Sequence, residues 1–563
     1  MLVFGALGGP LPKLGIVAAA ALAAVVMLHR DRRVQALAML GALVLAPVLL
    51  LADIWHSPQL GIVHRHPLVA AVGAIVALAA VGGVAWVFTR WPEMFALAVI
   101  FALPFRIPIQ AGGITSNLLV PLYFVVAAGS FAFVVAGLRG GVARDPVPSG
   151  GNARGPVSSG GNPRRPVSSG GNARDPVSSG GNARGAMPSD EQAPPRAHPL
   201  DARAAGLWLE RLLAGYIVLY ALQAAYSSKF TSALQNVVFF YVPFALAYCL
   251  LRRLDWTPRL IRICLFVLVG LAVVFALVGF VEYDTKTIFL NPKLIASNQV
   301  HAYFTVNSVF FDPNIFGRFL ALVMILLAAV VLYGRRQRTL LVAIGVLAVL
   351  WVALVLTLSR SSIGALLVGL GAVAALRWRV GRAVFVAAGV VALAAAVIAA
   401  SPTTFGLNQG LNGASSGRPS LVTGGIDLWA ARPLWGYGSG SFESEYSAHH
   451  HQIGQTLSAS HTIPITIGAE QGLIGVLVYL ALVVAALIVL LRRSRADPVR
   501  VAIAAAFIAL LFHTLLYADF LEDPITWTLL AIGTALAVRP PADSVSGDGE
   551  ALARHHELQQ QLA

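Results

Sequence analysis

Charged residues are scarce in this sequence. They make up 12% of its 563 residues, against 57% hydrophobic residues, and the mean hydropathy is +0.76. A soluble globular domain carries roughly 25% charged residues, so this composition excludes a soluble fold. Cysteine is also scarce, because Cys249 and Cys264 are the two in the chain and both fall inside apolar runs. A disulfide framework and a cysteine-bound metal cluster are therefore excluded.

The net charge of +15 would suit a nucleic-acid partner if the basic residues formed a patch. Instead, the arginines and lysines stand in short clusters between apolar runs, as they do in the cytoplasmic loops of membrane proteins. We therefore predict membrane lipids as partners and no nucleic acid.

Apolar runs of about 20 residues recur along the chain, and each can cross a hydrocarbon core of roughly 30 Å as a helix. We predict an all-α fold: a polytopic helical membrane protein with about 12–15 transmembrane helices and a large extracytoplasmic loop that contains short helices. The predicted spans are 12–29, 34–52, 68–89, 94–111, 117–138, 207–227, 235–251, 260–283, 313–333, 339–358, 361–377, 383–401, 473–491, 500–518 and 524–538.

The basic clusters predict the orientation of these spans. If the spans alternate, all five clusters fall on one side, which the positive-inside rule assigns to the cytoplasm. They are Arg30/Arg32/Arg33, Arg252/Arg253/Arg259, Arg335/Arg336/Arg338, Arg377/Arg379/Arg382 and Arg492/Arg493/Arg495. We expect a multi-pass protein of the cell inner (plasma) membrane, with the segments 284–312 and 402–472 on the extracytoplasmic side.

Residues 139–205 differ from the rest because a ten-residue unit repeats there, as in ARDPVSSGGN from Ala173. Rich in Gly, Pro and Ser, this segment predicts a disordered cytoplasmic linker, either a tolerated insertion or an interaction tail that uses its arginines. The predicted regions are N-terminal transmembrane helices 1–138, the linker 139–205, core transmembrane helices 206–401, an extracytoplasmic catalytic loop 402–472, C-terminal transmembrane helices 473–538 and a cytoplasmic tail 539–563.

Arginines on the extracytoplasmic side are candidates for function, since they oppose the positive-inside bias. Arg360 lies at the outer end of a predicted span, and Arg418 and Arg432 lie in the long outer loop. Either they bind an anion, or Arg360 snorkels at a helix end and the loop arginines are solvated surface.

The outer loop also contains a glycine-rich stretch and a candidate acid–base pair. Pro433 to Phe442 reads PLWGYGSGSF, which predicts tight turns that let backbone approach a substrate. His461 can accept a proton from a hydroxyl, and the carboxylate of Glu470 can orient it. The triplet 449–451 of three histidines offers a poor metal site, because consecutive residues rarely converge on one ion.

Taken in order, these motifs and others in the second half of the chain resemble the O-antigen ligase family over roughly residues 210–535. They are Phe311-Asp312-Pro313-Asn314 with Gly317, Ser359-Arg360-Ser361 with Gly364, Gly417-Arg418, Trp429, Pro433-Leu434-Trp435-Gly436-Tyr437-Gly438, Phe442, His461 and Glu470-Gln471-Gly472-Leu473-Ile474-Gly475.

The resemblance implies a metal-independent, inverting glycosyltransferase without a cofactor. Its donor would be an undecaprenyl-diphosphate-linked oligosaccharide and its acceptor a glycan or glycolipid. Arg360 and Arg418 would bind the diphosphate, and His461 would activate or position the acceptor hydroxyl. Many members carry an arginine before the asparagine–proline motif; here Asn307-Ser308 stands there, and Arg318, one helical turn after Asn314, is the candidate for that role.

Two other classes are compatible with the sequence. A transporter or flippase for a lipid-linked sugar or small anion also needs many spans and a few buried arginines, but it usually shows two similar halves, which this chain lacks. A structural scaffold for envelope polysaccharide assembly is the third class. Neither requires His461 or an outer loop of this length.

Overall fold

The computed structural model describes residues 10–55, 61–111, 114–139, 202–289, 294–295, 298–299, 304–378, 418–450, 462–517 and 519–538. The repeat segment 139–205, except for its edges, and the predicted span 383–401 therefore lie outside the described residues, as does His461.

The described chain is almost entirely helical, which confirms the predicted fold class. Its helices are α1 (Pro10–Leu28), α2 (Arg32–Ile54), α3 (Gly61–Arg65), α4 (Pro67–Arg90), α5 (Glu93–Ala102), α6 (Val120–Arg139), α7 (Ala202–Ala224), α8 (Phe230–Asn236), α9 (Val242–Arg252), α10 (Pro258–Thr285), α11 (Pro313–Tyr333), α12 (Gln337–Leu356), α13 (Arg360–Arg377), α14 (Arg418–Ala431), α15 (Phe442–His450), α16 (Ile463–Leu491), α17 (Pro498–Thr514) and α18 (Pro524–Val538). A π-helical turn, Val237–Tyr241, joins α8 to α9, and a 3₁₀ turn, Ser494–Ala496, precedes α17.

Within the described residues, eleven helical segments are long and apolar enough to cross a membrane, and α5, α17 and α18 are shorter apolar helices. The protein is thus a multi-pass membrane protein. α4 exposes most of its apolar side chains, whereas α9 and α17 are largely buried. The packed centre of the bundle therefore lies around α9, α11 and α17.

Polar side chains start several of these helices by accepting a hydrogen bond from a backbone N–H of the first turn. Asp31 caps α2, Thr257 caps α10, Asp312 caps α11, Ser359 caps α13 and Asp497 caps α17. In α10, α11 and α17 a proline follows the cap directly, where its missing N–H costs no helical hydrogen bond.

The predicted span 94–111 is wrong in its second half. α5 ends at Ala102, and the chain then forms two antiparallel strands, β1 (Ile107–Ala111) and β2 (Ile114–Leu118), with Ile107 opposite Leu118. Pro104 and Pro108 explain the change, because proline lacks the N–H that a continuing helix would need.

Contacts between helix ends define two ends of the bundle. At the end we call the arginine end, Arg253 donates to Oε1 of Gln35 at 2.6 Å, Arg252 pairs with Glu210, and the Arg377 guanidinium lies 5.0 Å from the centre of the Tyr333 ring. These residues belong to the predicted cytoplasmic clusters or contact them.

At the opposite end, which we call the loop end, the connecting segments contact one another. The Tyr226 hydroxyl donates to the carbonyl of Trp435 at 2.7 Å, and the Tyr241 hydroxyl donates to Oε1 of Glu522 at 2.6 Å. The loop end therefore joins the segment around residue 226 to that around residue 435, and residue 241 to the segment around residue 522.

Candidate active site

The glycine-rich stretch 433–442 packs backbone to backbone against a break in α16. Gly472 has φ +66° and ψ −163°, so the helix is interrupted there. The amide of Leu473 donates to the carbonyl of Pro433 at 2.7 Å, and the amide of Gly438 donates to the carbonyl of Glu470 at 2.8 Å. The loop thus satisfies backbone groups that the interrupted helix leaves without helical partners, as a membrane segment requires.

Glycine is needed on both sides of this seam, by which we mean the contact between residues 433–442 and 469–474. A Cβ on Gly472 would lie 2.3 Å from the carbonyl carbon and oxygen of Leu434, and one on Gly436 would lie 2.4 Å from those of Glu470. Both residues have positive φ, which costs other residues roughly 1–2 kcal/mol. The glycine-rich stretch therefore makes a close backbone approach, but its partner is the chain itself, and an approach to a substrate stays a prediction.

Glu470 holds the loop by both carboxylate oxygens. The amide of Gly440 donates to its Oε2 at 2.9 Å, and the amide of Phe442 donates to its Oε1 at 3.1 Å. The side chain is 8% exposed. Its geometry fits a residue that positions the loop.

Side chains of α7 support the same seam. Gln223 donates to the carbonyl of Gln471 at 3.2 Å, and Gln471 donates to the hydroxyl of Tyr216 at 3.2 Å. Tyr226 reaches the carbonyl of Trp435 from the end of α7. The loop, the break in α16 and α7 therefore form one hydrogen-bonded unit at the loop end.

Arg360 begins α13 beside a buried serine cluster. Ser359 donates to Oδ1 of Asn314 at 2.8 Å and lies 2.7 Å from the hydroxyl of Ser362. Gly317 makes this approach possible, because a Cβ there would lie 2.7 Å from the Ser362 hydroxyl. The starts of α11 and α13 are thereby joined, while the Arg360 side chain stays exposed.

The end of α17 contacts both the serines that follow Arg360 and Thr462, the residue before α16. The hydroxyls of Ser361 and Ser362 each lie 3.3 Å from Nε2 of His513. Two residues later, the carbonyl of Leu515 accepts a hydrogen bond from the Thr462 hydroxyl at 3.1 Å. Thr462 directly follows His461 in the chain.

α14 begins at Arg418 and runs parallel to the first turns of α16. Gly425 packs against Ile465, and Gly468 packs against Trp429. In this register Val422 and Thr423 lie level with Thr462, so the backbone of Arg418 lies about one helical turn beyond the start of α16. The side chain of Arg418 lies outside the described atoms.

The two remaining predicted arginines differ in their surroundings. Arg318 is 1% exposed and pairs with Asp523, with Nη2 and Oδ2 2.9 Å apart. Arg432 is exposed at the loop end, with its guanidinium 4.3 Å from the centre of the Tyr437 ring. Arg432 is thus accessible to a ligand, whereas Arg318 is held by a carboxylate inside the bundle.

The family comparison agrees with this region. Residues 345–480 match the model of the family described as O-Antigen ligase. These residues form an O-antigen ligase domain. The match runs from α12 to α16 and includes Arg360, Arg418, Arg432, Glu470 and the position of His461, so it confirms the predicted resemblance there. Comparisons with curated proteins and with solved structures give no significant match.

The O-antigen ligase domain supports a role for this membrane protein in ligating or polymerising glycans. Among the residues that the structure describes, no group of three His, Cys, Asp or Glu side chains could hold a metal ion. The predicted roles of individual site residues stay predictions.

Polar residues in the segment 515–523, which were not predicted as functional from the sequence, complete the loop end beside the O-antigen ligase domain. Asp523 pairs with Arg318, and the carbonyl of Asp519 lies 3.4 Å from Nη1 of the same arginine. Burial raises the pKa of Glu522, although the hydrogen bond from Tyr241 opposes the shift. Burial, with a smaller contribution from the carboxylates of Asp312 and Asp519, raises the pKa of Tyr517 well above its usual value.

A signal for these residues was present in the sequence. Asp519, Glu522 and Asp523 stand within five positions between two short apolar runs, on the side predicted to lack charge clusters. Carboxylates at such a position need partners, and the nearest buried cation of α11 was a candidate.

Proposed function

We propose that this protein is a metal-independent, inverting glycosyltransferase of the O-antigen ligase type. It transfers or polymerises glycan from an undecaprenyl-diphosphate-linked donor to a glycan or glycolipid acceptor on the extracytoplasmic face of the inner membrane. The observation that carries the proposal is the end of α17, which contacts both the serines that follow Arg360 and Thr462, the residue after His461.

In the proposed reaction, the acceptor hydroxyl attacks the anomeric carbon of the donor from the face opposite the diphosphate. The bond between the anomeric carbon and the phosphate oxygen breaks, and its electron pair leaves with the diphosphate. His461 takes the hydroxyl proton as general base. A single displacement of this kind inverts the anomeric configuration.

Arg360, Arg418 and Arg432 are the proposed cations for the leaving diphosphate. Guanidinium groups bind phosphate oxygens through paired hydrogen bonds, and neutralised diphosphate is a good leaving group. The exposure of Arg360 and Arg432 and the position of Arg418 in the first turn of α14 support this role.

Glu470 and Arg318 are proposed as positioning residues. Both oxygens of Glu470 accept amide hydrogen bonds from the glycine-rich loop, which follows Arg432 directly. Arg318 joins α11 to the start of α18 through Asp523. Neither residue needs to contact the donor for these effects.

The test is transfer from a purified lipid-linked donor by His461→Ala and Arg418→Ala proteins reconstituted in vesicles. Both should insert normally and lose transfer about 100-fold or more. General-base catalysis by His461 contributes roughly 10²–10⁴-fold, and one group that stabilises developing charge, as Arg418 would, contributes about 10²–10³-fold. His449→Ala, an exposed histidine of the same loop, and Arg90→Ala, at the arginine end, are the matched controls. Full transfer by both site variants would refute the proposed roles of His461 and Arg418. No transfer by the wild-type protein would contradict the proposed enzymatic reaction and favour a transporter.

The acceptor can be identified in a deletion strain. A polymerase deletion loses long chains and retains single repeat units, whereas a ligase deletion accumulates free polymer on its lipid carrier. Unchanged lipid-linked and ligated glycans would contradict both roles.

A further inference from the structure

An apolar cavity of about 300 Å³ lies between α5, α10, α11, α17 and α18. It follows α11 from Phe319 to Gly334, a rise of about 22 Å at 1.5 Å per residue. That length covers most of a hydrocarbon layer of roughly 30 Å. Side chains such as Leu268, Leu322, Ala502 and Leu529 form its walls, so the space suits a hydrocarbon chain.

The end of the cavity nearest the arginine end has a different lining. Trp256 and Tyr333 stand there, together with Gly334 and Pro498, which are exposed. Trp and Tyr favour the interface between hydrocarbon and headgroups. The cavity therefore reaches the level at which a lipid headgroup would lie.

Arginines surround this end. Arg335 and Arg336 follow Gly334 directly, and both are exposed. The Arg377 guanidinium lies 5.0 Å from the centre of the Tyr333 ring, which lines the cavity. Arg259 and Arg262 occupy the first turns of α10, next to Trp256 and Ile261 of the wall.

Carboxylates near this end are few. Asp497 accepts the amide hydrogen of Val499 as the cap of α17, and Asp255 and Glu93 lie at the starts of α10 and α5. Within the described part of the chain, Glu210 forms an ion pair with Arg252 at the arginine end. These residues belong to α7 and α9, which do not line the cavity, so this carboxylate does not neutralise the arginines at its mouth. The mouth therefore carries an excess of positive charge.

We propose that this cavity binds an anionic phospholipid such as phosphatidylglycerol. One acyl chain would occupy the apolar space, and the phosphate would lie among Arg335, Arg336 and Arg377. Charge complementarity favours this ligand, because an apolar channel that opens among arginines matches an amphiphile with one anionic head. This inference does not depend on the transfer reaction, since the proposed donor site lies at the loop end.

Native mass spectrometry of the full-length protein in detergent provides the test. We titrate phosphatidylglycerol, phosphatidylcholine and undecaprenyl diphosphate separately and in competition. The wild-type protein should bind one phosphatidylglycerol at least about 20-fold more tightly than phosphatidylcholine, as expected when at least two arginines each contribute about fivefold near the phosphate.

The head contacts are tested with two double variants of equal charge change. Arg335→Gln/Arg336→Gln should weaken phosphatidylglycerol binding about 20-fold, at roughly fivefold per arginine. Arg90→Gln/Arg139→Gln removes two exposed arginines from the ends of α4 and α6, which contribute no lining residue. This control should stay within about twofold of wild type.

The chain contacts are tested on α10. Leu268 lines the cavity, and Leu268→Trp should fill it and weaken binding about tenfold, the loss expected for about two buried methylene groups. Leu277 is 53% exposed on the same helix, so Leu277→Trp should bind as wild type does. Both proteins are compared only after size-exclusion chromatography shows the same elution volume as wild type.

Three results would overturn the proposal. Equal binding of phosphatidylcholine would exclude an anionic site, and equal losses in the two arginine doubles would indicate unspecific surface charge. Stoichiometric displacement by undecaprenyl diphosphate, abolished by Leu268→Trp, would assign the cavity to the donor instead. A failure of transfer in the reconstituted assay would leave this binding result unchanged.

Discussion

At the scale of single residues, the pair Arg318–Asp523 shows how the loop end is held together. Both side chains are almost completely buried, at 1% and 2% exposure. Removing one partner of a buried pair leaves an uncompensated charge, which costs about 3–5 kcal/mol, while replacing both by apolar residues is often neutral. The pair therefore offers a way to separate a structural role of Arg318 from a role in binding.

We predict that Arg318→Met alone lowers the thermal stability of the protein strongly, and that Arg318→Met with Asp523→Leu restores most of it. Thermal unfolding in detergent measures the stability of both variants. Glycan transfer by the double variant then tests whether Arg318 is needed for activity. A stable double variant that transfers glycan would support positioning only. If it is stable but inactive, Arg318 contributes a cation to the donor site, as the sequence analysis predicted.

Glu470 allows a second prediction at this scale. In Glu470→Gln, an amide NH₂ replaces one of the two oxygens that accept from Gly440 and Phe442. One buried amide then loses its acceptor, at a cost of about 1–3 kcal/mol. Amide hydrogen exchange at residues 438–442 should accelerate, and exchange at the unrelated start of α10 should not. Unchanged exchange in both segments would contradict the positioning role.

Individual side chains were predicted from the sequence where the signal was local. Arg360 lies between two helices, as the predicted spans on either side of it indicated, and the glycine-rich stretch does make a close backbone approach at Gly436, although to α16. The partners of Arg318 and Glu470 could not be predicted in this way. Asp523 is 205 positions from Arg318, so their contact is not local, although the carboxylates at 519–523 indicated that a cation must lie near them. The amides held by Glu470 belong to the backbone, and that contact leaves no pattern in residue types.

At the scale of elements, the seam between the glycine-rich loop and α16 leaves no space for an added side chain at Gly436 or Gly472. We predict that Gly472→Ala and Gly436→Ala each destabilise the protein by more than the roughly 1–2 kcal/mol of left-handed backbone alone. The added methyl would lie 2.3–2.4 Å from backbone atoms, which cannot move as a flexible side chain can.

Thermal unfolding of the purified variants measures this effect, and Gly83→Ala is the control. Gly83 lies inside α4, and a Cβ added there would have no heavy atom within 4 Å, so alanine should be neutral or stabilise by up to about 1 kcal/mol. Equal melting temperatures for all three variants would show that the seam does not form.

Helices were predicted well from apolar runs, and their ends less well. Hydropathy indicates that residues 94–111 are apolar, but it does not distinguish a helix from the α5–strand arrangement that forms there. Similarly, α16 begins at Ile463, ten residues before the predicted span 473–491. The predicted boundary at residue 473 coincides with the break at Gly472. The polar residues Glu470 and Gln471 end the apolar run there, although the chain is helical both before and after the break.

At the scale of the whole molecule, the arrangement of the two ends carries the functional interpretation. The described residues of the basic clusters gather at one end, and the seam, the serine cluster and the segment 515–523 gather at the other. A donor diphosphate would meet Arg360 and Arg432 at the loop end only if that end faces the compartment in which the donor is presented. The orientation of the bundle is therefore the property on which the proposed reaction depends.

Cysteine labelling in intact cells tests that orientation. Cys249 and Cys264 are buried, so background labelling by a membrane-impermeant maleimide should be low. Glu443→Cys places an exposed thiol at the loop end, and Arg338→Cys places one at the arginine end. The positive-inside rule predicts labelling of the first in intact cells and of the second only after permeabilisation. The reverse pattern would put Arg360 and Arg432 on the cytoplasmic side, where the proposed reaction could not take place.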